Sequence, residues 1–298
     1  MSLYYIDMPK TKALKPIPEQ KDKKKSKKEN KIDYNIYGVR KEEEFIKLDR
    51  PLPKFYETMV EKNGACLVLS AAPGSGKTSY LQNLIGREAY FKDMFDGGIY
   101  IISPTIYNDI GATVFREMAD FTSDEYSEEL AEGIYKNIME GDRDERQLSF
   151  ICMDDCIGQF KQRTFAGKMA STCRHMKTIL SFSTQQIKSL PPIIRANISH
   201  MVIFYQPSNK ELAHLVEINA GMGGEQNFLR CYQEACMVKY GMLLLDYRDM
   251  KIYKHTPETG EPVEIWSRYN DDGTLNVEEK KVDKNEIKTS VQLLTEEK

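Results

Sequence analysis

Residues 67–80, LVLSAAPGSGKTSY, are of the types that bind a polyphosphate. Gly74 and Gly76 let backbone N–H groups face phosphate oxygens without a Cβ in the way. Lys77 can reach the β- and γ-phosphates, and the hydroxyl of Thr78 can bind Mg²⁺. If a helix begins at this lysine, its first turn adds unpaired N–H donors and a partial positive charge. The stretch therefore predicts a site for ATP with Mg²⁺.

The context of this stretch is a buried strand pattern, a loop of small residues and the start of a helix. That order fits the Walker A motif of P-loop NTPases, G-x-x-x-x-G-K-[ST], although Ala71 stands in place of the first glycine. Alanine is tolerated there if the backbone does not need a positive φ. The alternative interpretation is a glycine-rich turn that precedes Lys-Thr by chance. The predicted nucleotide-binding residues are Ala72, Pro73, Gly74, Ser75, Gly76, Lys77, Thr78 and Ser79.

Two carboxylates follow a second apolar stretch, residues 148–153, at Asp154 and Asp155. A strand that ends in two acidic residues in the same sheet as the phosphate-binding loop is the Walker B arrangement. We expect Asp154 to bind Mg²⁺ beside Thr78, and Asp155 to orient or deprotonate the attacking water. Many ATPases of this kind use glutamate for the second role. The alternative is a strand that ends at an aspartate-rich turn.

Three further polar residues are candidates for the catalytic site. Gln185 follows the strand predicted at 178–184, where a γ-phosphate can be sensed; the alternative is a glutamine that caps a turn. Arg174 precedes that strand and Arg195 follows it, and either is a candidate arginine finger that reaches the nucleotide of a neighbouring subunit. Surface salt bridges are the alternative for both arginines.

Strands alternate with helices along the central part of the chain, and this order predicts an α/β fold. We expect a P-loop NTPase core of the RecA/ASCE type, with a mostly parallel sheet covered by helices on both faces and a β-hairpin at its end. Strands are predicted at 67–69, 98–103, 148–153, 178–184 and 200–205, with the hairpin at 241–247 and 251–255. Helices are predicted at 78–90, 123–140, 161–173, 193–198, 209–218 and 225–236.

The charge of the chain is uneven, although its net value over 298 residues is only −3. Residues 10–31 carry ten lysines and three acidic residues, a net charge of +7, and almost no apolar side chains. We expect a disordered arm, either a solvated tail or a segment for DNA tethering or nuclear import. Residues 258–298 carry a net charge of −5. The predicted organisation is a basic arm at 1–45, an ATPase domain at 46–256 and an acidic tail at 257–298.

Several other classes of protein are disfavoured by the sequence. It has no apolar run of about 18 residues and no secretory signal, so we expect neither a membrane span nor secretion. The six cysteines form no C-x-x-C pair, and the pairs Cys152/Cys156 and Cys231/Cys236 have no nearby histidine at ligand spacing. A zinc site is therefore not expected. We expect reduced thiols in an intracellular protein.

The chain resembles the viral genome-packaging ATPases of the poxvirus and virophage type, in the FtsK/HerA superfamily. Four stretches within residues 67–207 carry the resemblance: AAPGSGKTS, FICMDD, RHMKTILSFSTQQ and LPPIIRANISHMVIFYQ. The first two are generic to P-loop ATPases, and the last two are more specific. The resemblance implies a ring of subunits, expected to be a hexamer, that hydrolyses ATP to drive double-stranded DNA into a preformed capsid. It further implies a capsid protein as partner and a location in a viral factory, the host cytoplasm or nucleus, or the virion.

Other functions stay open at this point. A helicase or a DNA-segregation motor of the same superfamily would carry the same motifs. A small-molecule phosphotransferase is disfavoured, because the region after Gln185 lacks the arginine-rich lid pattern of P-loop kinases. A nucleotide-binding scaffold that does not hydrolyse ATP is disfavoured by the two aspartates at 154 and 155.

Overall fold

A computed structural model describes residues 50–156, 158–161 and 163–276 of the chain. The basic arm predicted at 1–45 and the end of the acidic tail, residues 277–298, lie outside the described residues. Within the part described, every strand belongs to one sheet. The strands are β1 (Gly64–Ser70), β2 (Ile99–Ile102), β3 (Phe121–Ser123), β4 (Ser149–Asp154), β5 (Thr178–Thr184), β6 (His200–Ile203), β7 (Met242–Asp246), β8 (Lys251–His255) and β9 (Val263–Ser267).

The strand order across the described sheet is β3-β2-β4-β5-β1-β6-β7-β8-β9. The first six strands in this order pair in parallel, and the last three pair antiparallel. Parallel strands need crossover connections, and helices supply most of them here. The helices are α1 (Lys54–Glu61), α2 (Lys77–Gly86), α3 (Thr113–Glu117), α4 (Glu128–Met139), α5 (Phe165–Thr172), α6 (Pro192–Ala196), α7 (Asn209–Asn219) and α8 (Gly224–Cys236).

Both faces of the sheet are covered, because alternate side chains of its central strands enter two separate apolar clusters. In β1, Cys66 and Val68 pack on the side of α4 to α8, whereas Leu67 and Leu69 pack on the side of α1 and α2. All seven residues of β1 are buried. A strand buried on both faces reads as a continuous apolar run, which explains why the sequence pattern at 67–69 is unbroken.

The predicted α/β fold with a mostly parallel, doubly covered sheet is confirmed, and so is the C-terminal hairpin, formed by β7 and β8. Four of the helices and strands lack a sequence prediction: α1, the five-residue helix α3, the three-residue strand β3, and β9. The last of these lies inside the segment assigned to the acidic tail, and it pairs with β8 as the edge strand. None of its five residues is buried, and its apolar alternation, Val263-Glu264-Ile265, is too short to mark a strand.

The start of α4 differs from the prediction, because a capping residue fixes where the helix begins. The helix predicted at 123–140 begins at Glu128, because the side chain of Ser127 accepts a hydrogen bond from the Leu130 N–H. Ser123, the first residue of the predicted helix, is the last residue of β3 instead. Within the described part of the chain, no helix has the length and apolarity that a bilayer span requires, and α8, at 13 residues, is the longest.

Candidate functional site

The predicted site residues meet at the carboxyl edge of three neighbouring strands. In the paired register Ser70 at the end of β1 lies beside Thr184 of β5, and Asp154 at the end of β4 lies beside Ser183 of β5. Parallel strands present their carboxyl ends at one edge of a sheet, where ligands of α/β proteins bind. The loop after β1, the aspartates after β4 and the glutamine after β5 are therefore brought to one place.

The loop between β1 and α2 has the backbone of a phosphate-binding loop. Gly74 has φ +71° and Gly76 has φ +98°, a region that L-residues with a Cβ rarely adopt. A Cβ built at either position meets no atom within 4 Å, so glycine is required here by conformation, not by space. Ala71 is not among the described residues with positive φ, and its N–H donates to Thr184 O over 3.0 Å. Alanine therefore satisfies the backbone at the place of the first motif glycine.

Lys77 and Asp155 form a close ion pair at the start of α2. Lys77 Nζ donates to Asp155 Oδ1 over 2.8 Å and to Oδ2 over 3.0 Å. The lysine side chain is 7% exposed, whereas that of the aspartate is 35% exposed. Asp155 has φ +50°, a conformation that costs a residue other than glycine about 1–3 kcal/mol. The strained turn directs this carboxylate towards the lysine of the phosphate-binding loop.

Asp154 is held in a different environment from its neighbour. Its Oδ1 accepts a hydrogen bond from Ser183 Oγ, and its Oδ2 lies 3.5 Å from Thr78 Oγ1. Burial raises the pKa of this carboxyl above its ordinary value, and the hydrogen bond from Ser183 opposes that shift. Ser183 Oγ also accepts the Asp155 N–H over 3.1 Å. One hydroxyl on β5 therefore holds both aspartates.

The residues present fit a magnesium ion, on the chemistry of their donors. Thr78 Oγ1 and Asp154 Oδ2 are oxygen ligands 3.5 Å apart at the mouth of the phosphate-binding loop. No group of three or more His, Cys, Asp or Glu side chains able to hold a metal occurs among the described residues. Mg²⁺ does not need such a cage, because it commonly binds through one or two protein oxygens, substrate phosphates and water.

Gln185 lies on the rim of a cavity of about 640 Å³ beside the phosphate-binding loop. Ala72 and Pro73 of that loop line the same cavity, together with Gln206 after β6. Gln185 is exposed and follows the carboxyl end of β5 directly. The structure therefore brings the predicted sensor next to the loop residues that the sequence assigned to nucleotide binding.

The two predicted arginine fingers are not brought to this edge. Arg174 is exposed and precedes the amino end of β5, the edge of the sheet opposite to the phosphate-binding loop. Arg195 lies in α6, and its Nε donates to Leu190 O over 3.1 Å. Neither makes a recorded contact with Lys77, Asp154 or Asp155 of its own chain. A role at a nucleotide would therefore require the site of another copy.

Two residues near the site carried no sequence prediction of their own. Ser183 lies in the polar end of the strand predicted at 178–184, and only the register between β4 and β5 brings it beside Asp154. Gln206 ends the apolar pattern of β6 and is buried, with 2% of its surface exposed. A polar residue directly after the mostly apolar segment predicted as a strand at 200–205 is the signal that could have indicated it.

A serine, a histidine and an aspartate also meet away from this edge, at Ser199, His200 and Asp246. His200 Nδ1 lies 3.0 Å from Ser199 Oγ, and its Nε2 lies 2.9 Å from Thr58 Oγ1 of α1. Ser199 Oγ is committed to the backbone of Cys66, and all these side chains are buried. The cluster connects α1 to β6 and β7 and has no access for a substrate, so it is structural.

The six cysteines are all described, buried and free of disulfide bonds. Burial raises the pKa of Cys156, directly after the two aspartates, to about 12. Such a thiol stays protonated and makes a poor metal ligand or nucleophile.

Comparisons with known proteins place the chain among viral proteins. A family model described as Poxvirus A32 protein matches residues 53–233, more than half of the chain. Uncharacterized protein 075L of Invertebrate iridescent virus 6 is 22% identical over 189 residues, which cover 61% of this chain and 70% of that protein. The solved structure of the genome packaging NTPase B204 from Sulfolobus turreted icosahedral virus 2, in complex with AMPPCP, matches with a TM-score of 0.51 and 15% identity. That match covers 65% of this chain and 98% of B204, and it shows a shared fold.

Proposed function

The chain belongs to the poxvirus A32 protein family, and from this premise we propose that it is an ATP-driven motor that packages a viral genome. The motor hydrolyses Mg-ATP and moves double-stranded DNA into a preformed capsid. One observation carries the proposal: Lys77 Nζ lies 2.8 Å from Asp155 Oδ1 at the mouth of the phosphate-binding loop. A terminal phosphate bound by the lysine therefore lies within reach of a carboxylate that can activate water.

The positions of the individual residues support the following proposed roles. The backbone N–H groups within residues 72–79, of which Pro73 has none, and the ammonium of Lys77 bind the phosphates. Thr78 and Asp154 hold Mg²⁺, which when bound offsets the negative charge of the β- and γ-phosphates. Asp155 is the more exposed aspartate, and it orients or deprotonates the attacking water. Gln185, beside Ala72 and Pro73, senses the γ-phosphate.

A ring of subunits, which we propose to be a hexamer, is compatible with the position of Arg174. This exposed arginine lies at the sheet edge opposite to the nucleotide site of its own chain, so as an arginine finger it would act at the site of a neighbouring subunit. Arg195 is the second candidate. The DNA substrate is supported by family membership and by the similar fold of B204, a genome packaging NTPase. A capsid protein is the proposed partner that couples the ring to the virion.

Steady-state Mg-ATP hydrolysis, measured with and without long double-stranded DNA, tests the proposal. We expect DNA to raise turnover severalfold in the wild type. Asp155→Asn keeps the size of the side chain but cannot accept a proton, and we expect a fall in kcat of at least about 100-fold. Glu88→Gln is a matched control, because Glu88 is exposed beyond the end of α2 and should change nothing.

The possible outcomes separate the alternatives. Hydrolysis that ignores DNA of every length would refute the motor and leave an ATPase with another substrate. Stimulation by DNA together with full activity of Asp155→Asn would keep the motor but reject the water-activating role. Binding of ATP without hydrolysis would favour a nucleotide-dependent scaffold.

A further inference from the structure

A buried glutamine, Gln206, connects the base of the phosphate-binding loop to the strand beside it. It lies three residues after the end of β6 and is 2% exposed. Its Nε2 donates to Ser70 Oγ over 3.2 Å. Ser70 is the last residue of β1, the point from which the phosphate-binding loop departs. This side-chain bond therefore holds the loop at its origin.

The glutamine is itself firmly supported. Its backbone N–H donates to the Tyr232 hydroxyl of α8 over 2.7 Å, and that tyrosine is 1% exposed. Directly after β6, the Phe204 N–H donates to Ser70 O over 3.0 Å. Ser70 is therefore held by two hydrogen bonds, one from the backbone of Phe204 and one from the side chain of Gln206. Through the Gln206 backbone, the second bond also connects Ser70 to Tyr232 of α8.

Two glutamines flank the phosphate-binding loop, and their environments differ. Gln185 follows β5 and is exposed, whereas Gln206 follows β6 and is buried; both line the cavity that Ala72 and Pro73 of the loop also line. An exposed amide can meet a ligand directly. The side-chain amide of Gln206 donates its hydrogen bond to Ser70, so this residue acts on the loop and not on a reacting atom.

We propose that Gln206 is a positioning residue for ATP, which through Ser70 holds the phosphate-binding loop in its binding conformation before the nucleotide arrives. The inference rests on the proposed function only in taking ATP as the ligand of the loop. A loop that is already ordered loses less conformational freedom on binding, so the bond raises affinity by preorganisation. A neutral hydrogen bond of ordinary strength corresponds to about a fivefold change in affinity.

The loop grips the phosphates in the ground state and in the transition state alike. Loss of such uniform binding raises KM and leaves kcat almost unchanged. Damage to the fold would instead lower the active fraction, and with it the apparent kcat, without raising KM. The division between KM and kcat therefore distinguishes a positioning role from a merely structural one.

The test is a double-mutant cycle of Gln206→Met, Ser70→Ala and the combination of both. The measured quantities are the Kd of a fluorescent, non-hydrolysable ATP analogue, KM and kcat for ATP, and the thermal midpoint. Each single variant is expected to raise Kd and KM about fivefold. The combination should add little more, because both changes remove the same bond. Gln233→Met makes the same substitution at an exposed site on α8 and should leave Kd unchanged.

Unchanged Kd and KM in Gln206→Met, or additive effects in the combination, would overturn the inference. If Gln206→Met does not fold, Ser70→Ala decides alone, since it leaves the glutamine in place: an unchanged Kd refutes the bond's role. A wild type that binds the analogue but does not hydrolyse ATP would overturn the proposed function, while the Kd values still decide the role of Gln206. A wild type that binds no analogue would overturn both.

Discussion

Replacement of Ser183 by alanine tests whether one hydroxyl organises both aspartates of the site. Ser183 Oγ donates to Asp154 Oδ1 and accepts the Asp155 N–H over 3.1 Å. A hydrogen bond to a charged group contributes about 1.5–3 kcal/mol and a neutral one about 0.5–1.5 kcal/mol. Ser183→Ala should therefore lower the free energy of unfolding by about 2–4 kcal/mol. It should also reduce kcat for ATP about tenfold or more, because both carboxylates lose their orientation.

The chain offers a matched control two residues earlier on the same face of β5. Ser181 is fully buried, and its Oγ makes no hydrogen bond. Ser181→Ala removes a hydroxyl that already bears the cost of desolvation, so stability should stay within about 0.5 kcal/mol or rise by about 1 kcal/mol. Urea unfolding at fixed pH gives both free energies, and steady-state hydrolysis gives both rates.

The differences in stability and turnover between Ser183→Ala and Ser181→Ala test the role assigned to the Ser183 hydroxyl. Equal losses of stability would show that β5 simply tolerates no change of volume at its carboxyl end. A stable Ser183→Ala protein with full turnover would show that the aspartates hold their positions without the hydroxyl. Either result would refute the assigned role of Ser183.

Three further predictions concern Lys77, Gly133 and two histidines. Lys77→Ala should weaken ATP binding at least about tenfold while stability changes by less than about 1 kcal/mol, since the partner Asp155 is 35% exposed; unfolding of the variant would contradict this. Gly133→Ala, in the exposed face of α4 with no atom within 4 Å of the new Cβ, should stabilise the protein by about 0.5–1 kcal/mol, measured as a higher thermal midpoint. Burial lowers the pKa of His200 and of His255 below the ordinary 6.5, so the unfolded chain binds protons that the native state excludes. Stability should fall as the pH drops below about 6.5, by up to about 1.4 kcal/mol per pH unit for each histidine, and His255→Gln should make the pH profile shallower.

Much of the fold was predictable because its central strands are buried on both faces. A continuous apolar run such as 67–69 identifies such a strand directly, and β5 has the bounds predicted for it, 178–184. The edge elements were not predictable in the same way. β3 has only three residues, and none of the residues of β9 is buried. Neither strand therefore has a hydrophobic pattern long enough to be detected in the sequence. Both exist because a neighbouring strand provides hydrogen-bond partners.

The candidate site was predictable to the extent that motifs lie directly after strands. Lys77, Thr78, Asp154 and Asp155 could be placed at one edge from the parallel order of the strands alone. Contacts between side chains of different strands could not be predicted. The bond from Ser183 to Asp154 depends on the register of β4 against β5, and that of Gln206 to Ser70 on the adjacency of β6 and β1. Neither relation is encoded in local spacing.

Displacement of a DNA triplex strand is the most direct test of the central claim, that ATP hydrolysis at this site moves the protein along double-stranded DNA. A linear duplex carries a fluorescent third strand at one end, and release of that strand is followed after Mg-ATP is added. We expect release that begins later as the duplex between the end and the third strand is lengthened. The Asp155→Asn variant, and the wild type with a non-hydrolysable analogue, should release none. Hydrolysis of ATP without release, or release that needs no hydrolysis, would contradict the motor.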